Sequence, residues 1–395
     1  MATRTPITVE DVSLSRTETS ARVSCSVTGG PFRTRLFFET SLANVDRLTA
    51  DRANWAATAL LYPAMLLGQD IHIRHPVSPL LLHNLNNDIQ AFLKIYDPRL
   101  KEIEITAPDA DALDSARAGL NATGFSAGVD SFSTLKRFFY DPIAAPLKIS
   151  ALSLFDVGAF RSRRRQALYA KALRRCVEFA GKHRLVALDL ESNIGDFYKN
   201  PELPKTSFEK TNTFRNLSAA LVFEKSLRNY LISSSFSPGQ IAAKASYNIA
   251  YLDPIILPLF CTEGLRFTSS CAGLSRIEKT ALIADVEDAH ALLDVCVSDE
   301  GLESRYLNCS KCLKCVRTMI TLDHLGKLDA FNRVFDVQEF RSNKEAHVLE
   351  ILDSAAQGNT LDAEVAVAIG RQPAQVPAPA FFERLIQRLS GSHRR

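Results

Sequence analysis

No apolar run in this 395-residue chain is both long enough and uncharged enough to cross a bilayer, and the opening stretch MATRTPITVEDVSLSRTETS lacks the apolar core of a secretory signal. A membrane role is excluded on this reading, and the cytoplasm is the expected location. Neither sign of charge dominates. Forty-seven basic and 44 acidic residues leave a formal net charge of +3, too balanced for general nucleic-acid binding. In a reducing compartment the eight cysteines are expected to be thiols or metal ligands and not disulfides. What is present, 46% hydrophobic and 23% charged residues, suffices for a full core and two domains.

Residues 1–112 read as an N-terminal accessory α/β domain. Alternating strands are expected near Ile7–Leu14, Ala21–Val27, Thr34–Phe38 and Glu102–Thr106, with helices around Arg52–Leu67 and Ser78–Ile95. No catalytic motif occurs there, and His72 and His75 fall on a strand and its edge. From 113 to 330 strands alternate with helices, the pattern of a mostly parallel sheet covered on both faces. Strands are expected at Leu147–Asp156, Leu185–Leu190 and Tyr230–Ile232, and helices at Arg161–Ala180, ended by Gly181, and at Thr211–Ser226. Helices and the Pro-rich run 372–379 lead through 331–395 to a basic tail.

The stretch Phe125-Ser126-Ala127-Gly128-Val129-Asp130-Ser131 carries the first chemical signal. Phe132, Leu135, Phe138 and Phe139 follow at helical spacing, so Asp130 and Ser131 belong to the first turn of an amphipathic helix. Free backbone N–H groups there attract anions, and small residues let phosphate oxygens approach. Ser126 and Ser131 offer hydroxyl donors, and Asp130 is the natural Mg²⁺ ligand, since a bare acid repels phosphate. An ordinary capped turn explains the same residues.

Cys296, Cys309, Cys312 and Cys315 carry the second signal. Eight cysteines in this length produce a C-x2-C-x2-C run by chance only ~0.003 times. Four thiolates suit a closed, structural Zn²⁺ site, with an iron–sulfur cluster as the rival. Cys25, Cys176, Cys261 and Cys271 lack such grouping and are expected in the core.

The loop resembles the S-G-G-x-D-S motif of the PP-loop ATP pyrophosphatases, with Ala127 in place of the first glycine. With the cysteines added in order, residues 118–325 resemble the cyano-deazaguanine synthases of the queuosine pathway. Phe155-Asp156-Val157-Gly158 is similar to their F-D-Y-G-Q-R segment, Arg215-Asn216 to a P-G-R-N helix start, Arg276-Ile277-Glu278-Lys279 to an I-D-K segment, and Cys309 through Arg317 to C-G-x-C-x-x-C-x-x-R. The resemblance implies an ATP-dependent ligase that releases AMP and pyrophosphate, adenylating a carboxylate or amide oxygen for attack by ammonia or an amine. It further implies ATP binding by Ser126, Ala127, Gly128, Val129, Asp130, Ser131, Asp156, Arg215, Asn216, Arg276 and Lys279, with Ser126, Asp130, Ser131 and Lys279 catalytic. Structural zinc, Mg²⁺ with ATP, and a homodimer go with it. The chain opens Met1-Ala2-Thr3, without a cysteine nucleophile to release ammonia from glutamine, so ammonia is expected free or from a partner.

Added N-terminal regions occur in defence-associated relatives of that family, which brings in a protein or peptide acceptor. Two other readings stay open. One is a tRNA-modifying PP-loop enzyme, of the thiolation or lysidine type, using the basic run Arg161-Ser162-Arg163-Arg164-Arg165. The other is a non-enzymatic nucleotide-binding subunit, motivated by Ala127. Glu278 also completes a capping box with Ser275, while Arg276 and Lys279 oppose the helix dipole and need an anion nearby.

Overall fold

Ten strands form one sheet: β1 (Ile7–Arg16), β2 (Ser20–Gly29), β3 (Phe32–Ser41), β4 (Ile71–Ile73), β5 (Ile105–Thr106), β6 (Leu120–Gly124), β7 (Ala151–Asp156), β8 (Val186–Ser192), β9 (Leu227–Ser233) and β10 (Arg266–Ser270). They belong to a computed structural model that describes residues 5–111, 119–159, 163–296 and 305–371, the side chains of 163–165 apart. Two compact units result. One comprises the chain up to Ser126 together with Arg137–Ala272 and holds the whole sheet; the other comprises Ala127–Lys136 and the chain from Gly273 onward.

The sheet order is β10-β9-β6-β7-β8-β3-β2-β1-β4-β5. Strands β10 through β8 in that order are parallel throughout. Burial on both faces explains their composition: Ala151–Phe155 of β7 are five consecutive buried residues. The sequence enters this parallel set at β6, goes to β7 and β8 on one side, then to β9 and β10 on the other. That reversal makes the C-terminal ends of β6, β7 and β9 a topological switch point, the place where open α/β sheets bind ligands.

The N-terminal strands do not make the separate domain expected for 1–112. Strands β1, β2 and β3 form an antiparallel meander whose last strand pairs with β8 through Phe38↔Ser192 and Glu39↔Glu191. Ser41 N–H and Oγ both donate to the Asp189 side chain, and Asn44 Nδ2 donates to the Ala187 carbonyl and to Asp189. The one sheet therefore continues through the point where a boundary is expected, while the boundary residues 112 and 113 themselves lie outside the described set.

Local departures have local causes. The helix Asn54–Leu67 is buried on every side and ends at Gly68, whose φ of 65° only glycine adopts without strain. The helix expected over Ser78–Ile95 is two, Pro79–Asn86 and Asp88–Tyr96, broken at Asn87 with φ −128° and ψ −104°. Gly181 does not end its helix, which runs Arg163–His183. Arg184 supplies the left-handed residue at φ 57°, and the Leu185 N–H closes the turn on the Ala180 carbonyl. The expected Thr211–Ser226 helix stops at Leu221 and is followed by a 3-10 turn, and the strand expected from Leu147 begins at Ala151.

The second unit is helical. Its described helices are Val129–Leu135, Arg276–Ile283, Glu287–Leu292, Leu313–His324, Val337–Ser342, Lys344–Ala356 and Thr360–Ala368. No described helix is long and apolar enough to cross a membrane.

Candidate functional site: a cation cluster and a four-cysteine centre

The loop after β6 shows why small residues matter there. Ala127 takes φ 60° and is fully buried, so the position where the resembled motif has glycine is the left-handed position here. Its carbonyl accepts from the Asp294 N–H, which fixes the turn. Gly128, at φ −80° and ψ 173°, caps the helix Val129–Leu135. Ser131 is buried, and its hydroxyl donates to the Gly128 carbonyl 3.0 Å away; Ser133 likewise donates to Val129. The Ser131 hydroxyl is thus engaged within its own turn.

Asp130 gathers the cations. Arg276 Nη2 lies 2.9 Å from its Oδ2 and Lys279 Nζ 3.5 Å from its Oδ1, with the Lys279 side chain 1% exposed. These are the two residues whose charge opposes their helix dipole. The Ser275–Glu278 capping box fixes that helix start, and Arg276 N–H donates to Glu364 Oε2. Within the second unit, the anion that Arg276 and Lys279 need is Asp130. In this arrangement both carboxylate oxygens face cations, a donor set unsuited to a resident Mg²⁺. Arg276 Nε and Asp130 Oδ1 are nevertheless buried without a hydrogen-bond partner among the described residues.

A third cation was not legible in the motif. Lys314, between Cys312 and Cys315, lies within electrostatic reach of Asp130, Arg276 and Arg317. Desolvation first, then the like charges of Arg276 and Arg317, hold its ammonium below the usual lysine range. Arg317 itself is taken up by a buried pair with Asp362, Nε to Oδ1 at 2.5 Å, to which Ser354 Oγ also donates. Three cations, Arg276, Lys279 and Lys314, thus stand against two acids, Asp130 and the Glu364 that accepts from the Arg276 N–H, which leaves the cluster positive by one charge.

The four cysteines converge as their spacing predicts. Their sulfurs all lie within 4.8 Å of one another, with Cys309 to Cys315 at 3.9 Å and Cys312 to Cys315 at 3.4 Å. Tetrahedral zinc–thiolate geometry needs about 3.8 Å between sulfurs. Cys312 N–H points at Cys309 Sγ at 3.3 Å, and Ser310 between them takes φ 61°, so the turn presents both sulfurs inward. Asn308, fully buried, holds the approach: its Oδ1 accepts from the N–H groups of Val295 and Cys296, and its Nδ2 donates to the carbonyls of Leu293 and Val334. It thereby ties Cys296 beside Cys309. Without a cation the neighbouring Cys312 sulfur keeps the Cys296 thiol up at about 12, and Cys296, Cys312 and burial raise Cys315 as well. A divalent ion removes that penalty by binding the thiolates. The residues fit a structural metal such as zinc. Of the other cysteines, Cys25, Cys176 and Cys271 are buried and Cys261 half-buried, as core residues.

In the first unit, two of the expected residues and one further serine lie at strand ends. Ser126 follows β6, Asp156 ends β7 and Ser233 ends β9, all at the C-terminal edge. Asp156 sits opposite Glu191 in register, and its Oδ1 accepts from the Gly158 N–H, closing a turn in which Gly158 has φ 102°. Burial and then the charge of Asp156 raise the Glu191 carboxyl above its ordinary range. Arg215 is fully buried between the rings of Tyr198 and Phe208, with Nε to Thr211 Oγ1 at 3.0 Å and Nη1 to the Val157 carbonyl at 3.3 Å. It braces the Asp156–Gly158 turn from within the core. Asn216 Nδ2 donates to the Asn212 carbonyl one helical turn back. Of the basic run 161–165, residues 161 and 162 lie outside the described residues, and Arg163 opens a helix.

No family model matches this chain, and neither does a curated protein or a solved structure, so what it does has to be argued from the loop, the cation cluster and the cysteine centre themselves.

Proposed function

We infer that this chain is an ATP-dependent, adenylate-forming ligase of the PP-loop pyrophosphatase type, similar in chemistry to the cyano-deazaguanine synthases. The observation that carries the reading is the cluster of Arg276, Lys279 and Lys314 around Asp130, one turn from a glycine-like Ala127. A net positive, partly desolvated cluster suits a pyrophosphate leaving group, and the buried Arg276 Nε is a donor that a phosphate oxygen satisfies.

In the proposed reaction a substrate carboxylate or amide oxygen attacks the α-phosphorus of ATP, breaking the α–β bridge and releasing pyrophosphate. Ammonia or an amine then attacks the activated carbon, and AMP leaves with the bonding electrons. Arg276 and Lys279 neutralise the leaving pyrophosphate, while the closed turn at Ala127 fixes its approach. Mg²⁺ bound with ATP would supply further charge neutralisation of the phosphates, and Asp130 is the residue that would hold it. The substrate is a small nucleobase-like carboxylate or amide, and the acceptor is ammonia, an amine, or a protein or peptide. Product analysis tests this: AMP and pyrophosphate from ATP, dependent on a carboxylated deazaguanine with ammonia or on a peptide amine, supports it. ADP and phosphate, or no turnover with any acceptor, overturns it.

The pairing of both Asp130 oxygens with cations favours one second reading, a nucleotide-binding subunit without turnover. ATP binding with no product under the same conditions distinguishes it.

A further inference from the structure

An open pocket of about 500 Å³ lies in the first unit, on the segment after β9. Its walls are Lys210, Lys244, Ser246, Tyr247 and Tyr251, with Ala245 on the floor. No carboxylate lines it. Tyr251 is backed by Phe236, stacked at 3.7 Å between centroids and 15° between planes, and the Tyr247 and Tyr251 hydroxyls converge to 3.5 Å. The Tyr247 ring stands 67% exposed, a large aromatic face turned to solvent. Lys244 makes no ion pair among the described residues; its ammonium lies 5.8 Å from the Tyr251 ring.

The site is held in place from behind. Lys210 Nζ lies 3.2 Å from Oδ2 of Asp97, a carboxylate 1% exposed that also takes Tyr62 and Arg99. Ser246 N–H donates to the Tyr96 carbonyl, Ile249 N–H to Glu209, and Ala242 N–H to Tyr251, so the loop is pinned at three points to itself and to the core. One ammonium without an ion pair among the described residues, that of Lys244, and two hydroxyls lie beside the exposed Tyr247 and the edge of buried Tyr251, while the Lys210 ammonium is taken up by Asp97. Such a set binds an anion that carries a flat ring, the ring stacking on Tyr247 and the charge at the Lys244 ammonium.

We propose that this pocket is a binding site for a small planar aromatic anion, separate from the cation cluster around Asp130. The proposal stands whether or not the chain is a ligase. A phosphate or a carboxylate supplies the same charge, and the probes distinguish them. The full chain is titrated by calorimetry with guanosine monophosphate, 1-naphthoate, guanosine and inorganic phosphate, alongside Tyr247→Ala and Lys244→Gln, both surface changes that leave the circular dichroism spectrum unaltered. Saturable binding of the nucleotide or of naphthoate, each tighter than guanosine or phosphate alone, is expected. Each variant weakens it by about tenfold, and the Lys244→Gln complex loses part of its salt dependence. Binding by the nucleotide alone assigns a phosphate ligand, and by naphthoate alone a carboxylate. Failure of both to saturate, or equal affinity in wild type and both variants, overturns the proposal.

Discussion

Arg276 Nη2 and Asp130 Oδ2 are 2.9 Å apart, joining the first turn of one helix to the first turn of another, and Lys279 closes on the second oxygen of the same carboxylate. Two cations at a helix start are unfavourable on their own. Asp130 offsets that cost, and Lys314 adds a third cation within electrostatic reach of the same carboxylate.

The backbone at Ala127 makes a paired prediction. Left-handed strain relieved by glycine is offset by the lost methyl contact and the looser unfolded chain, so Ala127→Gly changes stability by less than about 1 kcal/mol. Ala127→Val places a branched side chain at φ 60° in a closed site and costs about 2 to 3 kcal/mol. Urea unfolding of the two variants measures the difference.

The cysteine centre is expected to hold one metal ion per chain. Elemental analysis finds zinc at unit stoichiometry with a colourless protein; visible absorption would point to an iron–sulfur cluster instead. Asn308→Ala, although it removes no ligand, loosens the Cys296 approach and speeds metal loss to a chelator by about tenfold or more.

Asp253 is fully buried with Thr213 Oγ1 donating at 2.7 Å, and burial lifts its carboxyl to about 7. Its folded pKa lies above the unfolded value near 3.8. The stability it contributes is therefore complete below about pH 4 and is lost as pH rises towards 7, with a slope of about 1.4 kcal/mol per pH unit. Asp253→Asn keeps the acceptor oxygen and flattens that slope, seen as a smaller fall in melting temperature between pH 5 and pH 7.

Arg317 and Asp362 form a buried pair, so removing one partner strands the other. Asp362→Ala is expected to cost about 3 to 5 kcal/mol, and the double change Arg317→Met with Asp362→Leu much less. Chemical denaturation of the single and double variants checks the order.

Legibility in the sequence followed the range of each interaction. The cysteine centre was readable because its ligands sit close in the chain, and the capping box at Ser275 and Glu278 because it spans three residues. The parallel strands β7 and β9 showed as apolar runs with misplaced ends: Leu147 belongs to a 3-10 turn before β7, and β9 starts three residues earlier than its apolar run, at Leu227. The union of the N-terminal strands with the rest was not readable, since the β3–β8 pairs and the Ser41 and Asn44 bonds to Asp189 join residues some 150 positions apart. The break at Asn87 carries no glycine or proline to announce it. Arg215 reads like a surface cation at a helix start, and only its neighbours Tyr198 and Phe208 bury it. Lys314 gave no signal because the charges around it, the opposite one of Asp130 and the like one of Arg276, come from distant parts of the chain.

The most direct test of the central claim is exchange of labelled pyrophosphate into ATP by the full chain, with carboxylated deazaguanine as the probe substrate. The account predicts exchange above the protein-free background, abolished in Lys279→Met and in the isosteric Asp130→Asn. Absence of exchange in wild-type protein that binds ATP contradicts the account and leaves a nucleotide-binding subunit in its place.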